Sequence, residues 1–188
     1  MPSLTDHSSA AATDDFVAAL AGLAPDGPVA ALRAFRGDAT RYTQGSHDAL
    51  FSNDVVDLTL RERLYAAWYA ALLSRADQTA QAYRERLLAL ETDAEKGADA
   101  TSALLDSIAQ DGAASIETVV ATDPRLAAIL VHTEALVLRP AATGKPALAA
   151  LQAARLTTRA MVALAQLVAF VTYQVRVVAA LRALEAKA

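Results

Sequence analysis

Apolar residues recur in steps of three and four from residue 16 almost to the C-terminal end, a spacing that predicts successive helices and no convincing strand. Helical texture begins near Asp14, where Phe16, Val17, Leu20 and Leu23 fall at helical spacing. Pro25-Asp26-Gly27-Pro28 reads as a turn, followed by a short helix over 29–35 and a third over 40–50 that ends around Ser52-Asn53-Asp54. Thr59-Leu60-Arg61-Glu62 fits a capping box, with Thr59 as N-cap and Glu62 reaching back to its backbone N–H. Leu64, Ala67, Trp68, Ala71 and Leu72 then mark one apolar face through Leu73. Further helices are expected over 75–90, with Tyr83, Leu87 and Leu90, and over 98–108, closing at Asp111-Gly112. Asp123-Pro124 is a restart, Asp as N-cap and Pro at the first helical position, for a helix that runs to about 138 and stops before Pro140. Thr143-Gly144-Lys145-Pro146 reads as a turn before a short helix to about 154, and Thr157 or Thr158 caps a long last helix.

In that last helix Met161, Leu164, Val168, Val171, Val175 and Val178 form one continuous seam. Leu167, Phe170 and Val177 make the neighbouring face apolar, so most of the helix is expected to be buried. The apolar run 160–175 is shorter than the roughly 20 residues a bilayer needs and carries Gln166 and Gln174, which favours a core helix over a membrane span.

Composition sharpens this picture. The chain has 188 residues, of which 54% are hydrophobic and 5% aromatic, enough for one full core. Alanine and leucine with few β-branched runs favour an all-α fold. A net charge of −4, with arginines scattered among acids, argues against nucleic acid and against a membrane surface. The absence of Cys excludes disulfides, Cys-ligated zinc and iron–sulfur clusters. Residues 1–13 read as disordered or loosely attached and lack the pattern of a signal peptide, so a cytoplasmic location is expected. The rest, 14–188, reads as a single helical domain.

Few residues are candidates for chemistry. His7, His47 and His132 are far apart, and none has another His three or four residues on, so neither a metal site nor a cofactor is expected. His132 reads either as a hydrogen-bonded, partly buried histidine or as a catalytic base. Glu62 would be a general base if desolvated, although the capping box already accounts for it. Gln166, Tyr173 and Arg176 lie along one stripe of the last helix. They could line a pocket for a carboxylate or carbonyl, or pair with acids of a neighbouring helix or subunit. Trp68 and Tyr69, with Tyr65, could wall an apolar pocket or pack in a core or interface.

Two segments resemble the carboxymuconolactone decarboxylase superfamily, which includes the alkylhydroperoxidase-D-like proteins. The first is 58–83, LTLRERLYAAWYAALLSRADQTAQAY, similar to the family's Leu-Ser/Thr start, Glu-Arg pair and alanine-rich helix before a Cys-x-x-Cys and a His. The second is 132–181, above all AQLVAFVTYQVRVVAAL, which looks like the closing helix, a Phe-centred apolar run ending in Arg176. The resemblance implies an alkylhydroperoxidase-D-like helical bundle over 58–188, with 14–57 an N-terminal extension, that assembles into homo-oligomers. Laid on the family pattern, the cysteines fall on Ala76 and Thr79, the histidine on Ala82 or Tyr83 and the acidic relay residue on Leu64, each without the functional side chain. Thiol peroxidase chemistry is therefore not expected, since no Ala or Thr replaces a thiolate nucleophile.

Two function classes follow. One is a non-catalytic family member, a structural or regulatory subunit or small-molecule binder, alone or partnered by a thiol-bearing relative. The other is a cysteine-independent enzyme acting on a small lactone or carboxylic acid, in which His132 or Glu62 moves protons and Arg176 holds the carboxylate.

Overall fold

A computed structural model describes residues 15–91 and 95–188. The expectation for 1–13, and His7 with it, lies outside the described residues. Among those described, every regular element is helical, and the fold is all-α. The helices are α1 (Phe16–Ala21), α2 (Pro28–Phe35), α3 (Gly37–Phe51), α4 (Leu60–Leu73), α5 (Asp77–Leu90) and α6 (Glu95–Asp111). They continue with α7 (Ala113–Val120), α8 (Pro124–Leu138), α9 (Lys145–Ala153) and α10 (Thr158–Glu185), with a single 3₁₀ turn at Pro140–Ala142.

The described chain groups into two compact units. One takes the residues up to Asp48 together with Arg176–Ala188, and the other is Ala49–Val175. In the first, Asp15 caps α1 by accepting from the N–H groups of Val17 and Ala18, and its carboxylate also pairs with Arg33 of α2. Gly22 ends α1 at φ +65°, the left-handed conformation that glycine adopts without steric penalty. The Phe16 N–H donates to Gln44 Oε1 at 2.8 Å, and the Phe16 ring lies 4.4 Å from that of His47. Near the other chain end, Glu185 Oε1 accepts from the Ala24 N–H at 3.1 Å, tying the last turn of α10 to the loop after α1.

The second unit is organised around α4. Ten consecutive residues, Glu62 to Ala71, are buried. A helix apolar on all sides must be enclosed by others, and α4 packs chiefly against α5 and α8. Its alanines at 66, 67, 70 and 71 remove the bulk that would hold those neighbours away. Around this centre, α8 also packs on α7 and α9, and α6 on α5 and α7.

Several boundaries depart from the sequence expectation. Arg75 does not open α5 but occupies the left-handed turn that closes α4, at φ +56°. The segment after Gly112, left without an element in the sequence reading, forms α7, which buries Ile116 and Val119. Its Ile-Glu-Thr-Val-Val run has modest helix propensity and its N-cap glycine offers no side chain, so tertiary burial decides its structure. Thr157, not Thr158, caps α10, its hydroxyl accepting from the Ala160 N–H at 3.1 Å.

The expectation that most of α10 is buried needs correction. The seam Met161, Leu164, Val168, Val171, Val175 and Val178 is buried as expected, yet Val162 and Tyr173 are about half exposed and Gln166 and Arg176 are exposed. At 28 residues α10 is also longer than the 160–175 run. By length and composition it could cross a membrane, and half of its most apolar window is buried.

Candidate functional site

Arg125, the second residue of α8, joins four separate pieces of chain in the second unit. Its Nε donates to Glu62 Oε1 at 2.6 Å, Nη1 to the Arg155 carbonyl at 2.8 Å and Nη2 to the Asp57 carbonyl at 2.6 Å. The other carboxylate oxygen, Oε2, accepts from the Thr59 N–H at 2.7 Å and from its hydroxyl at 3.0 Å, completing the capping box at the start of α4. Glu62 is thus an N-terminal anion of α4 and the partner of a guanidinium at once. Both carbonyls that receive Arg125 belong to non-glycine residues in the left-handed region, Asp57 at φ +69° and Arg155 at φ +63°. The Asp57 carboxylate in turn accepts from the Thr157 hydroxyl at 3.0 Å. A surface cleft of about 400 Å³ opens beside this cluster, lined by Val55, Asp57, Leu58, Thr59, Arg125, Arg155 and Thr157.

The residues proposed from sequence lie elsewhere or are already engaged. Glu62 borders the clamp but is held by Arg125 and the α4 N-terminus. His132 is buried in α8 and does not line the cleft. Its Nδ1 has no hydrogen-bond partner among the described residues, and burial holds the imidazole below its ordinary value. Trp68 and Tyr69 are core side chains, 3% and 1% exposed, with ring centroids 6.0 Å apart. The Tyr69 hydroxyl donates to Glu134 Oε2 at 2.7 Å, and burial together with this bond raises its pKa, so the phenol stays protonated. Gln166 and Tyr173 lie on the exposed side of α10, and Arg176 is exposed as well.

The positions where the resemblance sets the thiol relay are Leu64, buried in α4; Ala76, the N-cap of α5; Thr79, buried in its first turn; Ala82, half-buried; and Tyr83, buried. The Tyr83 hydroxyl, its pKa raised by burial, donates to Gln174 Oε1 at 2.8 Å.

Sequence reasoning did not single out Arg125, Asp57, Arg155 or Arg63. Arg125 follows the Asp123-Pro124 helix start, yet nothing local says that it reaches Glu62, 63 residues earlier. Arg63, 2% exposed, donates from Nε to the carbonyls of Leu58 and Thr59 and from Nη1 to that of Leu50, so backbone oxygens hold its guanidinium. Among the described residues no group of three or more His, Asp or Glu is placed to hold a metal ion. Comparison of the chain with protein-family models, with curated proteins and with solved structures gave no match.

Three outcomes follow from this geometry. Thr59→Ala removes a cap and is expected to cost about 1 kcal/mol in urea unfolding. Glu62→Ala removes the capping-box carboxylate and the ionic partner of Arg125, which keeps its two carbonyl acceptors, and is expected to cost about 2 kcal/mol. A double substitution with Arg125→Ala should cost less than the sum of the singles, and strict additivity would mean the two side chains do not act together.

For His132, burial favours the neutral imidazole. Below its ordinary value of 6.5 the unfolded chain therefore binds more protons than the folded one. Stability contributed by the neutral ring is full above about pH 6.5 and is lost as pH falls through the folded value. The melting temperature should decline from pH 7 to pH 5, and His132→Leu should flatten that decline while costing little at pH 7, because the orphaned Nδ1 is removed. An unchanged slope in the variant would assign the acid sensitivity to other groups.

Proposed function

We propose that this chain is a cysteine-less alkylhydroperoxidase-D-like subunit that works by binding, as a structural or regulatory member of a homo-oligomer, and not by thiol catalysis. The observation that carries this reading is the state of Glu62. The carboxylate with the best claim to act as a base instead accepts three hydrogen bonds, from the Thr59 N–H, the Thr59 hydroxyl and the Arg125 Nε. The alternative, a cysteine-independent enzyme acting on a small lactone or carboxylic acid, has to rely on His132, which is buried away from the cleft.

Two further features support the family reading. Ala76 and Thr79 occupy the N-cap and third residue of α5, a setting in which the helix dipole would lower a thiol's pKa. The place that the resemblance assigns to the first Cys thus lies in the favourable field of a helix N-terminus, the second is buried, and neither carries a thiol. Secondly, α10 is apolar on two sides. Opposite its buried seam, Val162, Ala165, Gln166, Ala169 and Tyr173 form an exposed stripe at the spacing of a helix–helix seam. A second copy is the occupant proposed for that stripe, and a thiol-bearing family member is the other candidate.

Light scattering and native mass spectrometry test the assembly. The wild-type chain is expected at a multiple of its 19.7 kDa mass, and Val162→Glu with Tyr173→Glu at a smaller mass with unchanged helical circular dichroism. A wild-type monomer throughout the micromolar range would overturn the homo-oligomer. The family register has its own test. Ala76→Cys with Thr79→Cys should form an intrachain disulfide, and the reduced Cys at 76 should titrate below about 8.5. Failure to form the disulfide, together with an unshifted thiol, would remove the resemblance's alignment.

A further inference from the structure

We propose that the cleft beside Arg125 binds a small carboxylate with an apolar body, held by the guanidinium groups of Arg155 and Arg125. Two walls of different character support this ligand class. Val55 and Leu58 supply apolar surface, and Arg125 and Arg155 supply cationic donors. Arg125 has five N–H groups and uses three on Glu62, Arg155 and Asp57, which leaves two. Arg155 has an exposed side chain, and none of the ion pairs among the described residues includes it. The cleft volume of about 400 Å³ falls in the range of small-molecule sites.

The cleft also carries a positive field from the backbone. Thr59 and Thr157, the N-caps of α4 and α10, line it, as does Arg125 from the first turn of α8. Glu62 and Asp57 offset part of that field but are themselves bound, Glu62 by Arg125 and Asp57 by Thr157. Of the two arginines lining the cleft, Arg155 is the one in no ion pair among the described residues.

The position of Arg155 gives the experiment a clean handle. It follows α9 in the left-handed conformation, with its N–H donating to the Gln152 carbonyl and the Leu156 N–H to the Leu151 carbonyl. Glycine is the usual occupant of such a site, so Arg155→Gly relieves the backbone while deleting the guanidinium. Arg75 ends α4 in the same way, its N–H donating to Leu72 and the Ala76 N–H to Ala71, yet it does not line the cleft. Arg75→Gly is therefore a matched control.

This inference rests on reading the chain as a binding protein, and it does not require the homo-oligomer. Isothermal titration of the full chain with benzoate and with inorganic phosphate tests it, with light scattering on each variant. Benzoate is expected to bind more tightly than phosphate. Arg155→Gly should weaken benzoate about tenfold or more at an equal or higher melting temperature, and Arg75→Gly should leave binding unchanged. No heat from benzoate at about 10 mM, equal binding by Arg155→Gly, or tighter binding of phosphate than of benzoate would each overturn the proposal. An altered mass with intact benzoate binding would instead count against the assembly alone.

Discussion

The ion pair between Glu62 and Arg125 is the interaction on which the second unit depends. Ion pairs contribute little net stability once desolvation and solvent screening are counted, and the Arg125 side chain is part-exposed, so the importance of this one is geometric. One guanidinium fixes the start of α4, the loop before it, the start of α8 and the turn between α9 and α10. Each of its three bonds reaches a different segment, two of them through the backbone carbonyls of residues at positive φ. The backbone cost at Asp57 and Arg155 is thus accompanied by a hydrogen bond from Arg125 to each carbonyl.

Away from the clamp, the core holds its polar groups in pairs across helices. Tyr69 on α4 meets Glu134 on α8, and Tyr83 on α5 meets Gln174 on α10. Each pair lets a large aromatic ring fill core volume while its hydroxyl finds an acceptor. Gln174 is fully buried, and its Nε2 has no partner among the described residues. Such a group penalises any packing that fails to keep at least its oxygen satisfied, which favours one register of α10 against α5.

Most of this fold was legible because its signals are local. The Thr59–Glu62 capping box, the Asp123-Pro124 start and the seam from Met161 to Val178 each lie within a few turns of one helix, and each is present in the structure. What escaped was either tertiary or hidden by a local exception. Arg155 and Arg75 sit where a helix ending would announce itself with glycine, so the sequence carries no sign of the left-handed turn. Arg125 is one scattered arginine among many until folding brings it to Glu62. The Gln166–Tyr173–Arg176 stripe is exposed on α10, and periodicity alone does not say which face of a largely apolar helix turns outward.

The enclosure of α4 has a further consequence, for how this chain can change over evolutionary time. Inserting or deleting one residue turns every later side chain of a helix by about 100°. A helix such as α2 or α9, with a single buried side chain, has a solvent side to absorb that rotation. From Glu62 to Ala71, α4 has none. Its length should therefore stay constant among descendants of this sequence, while the shorter, half-exposed helices gain and lose residues around it.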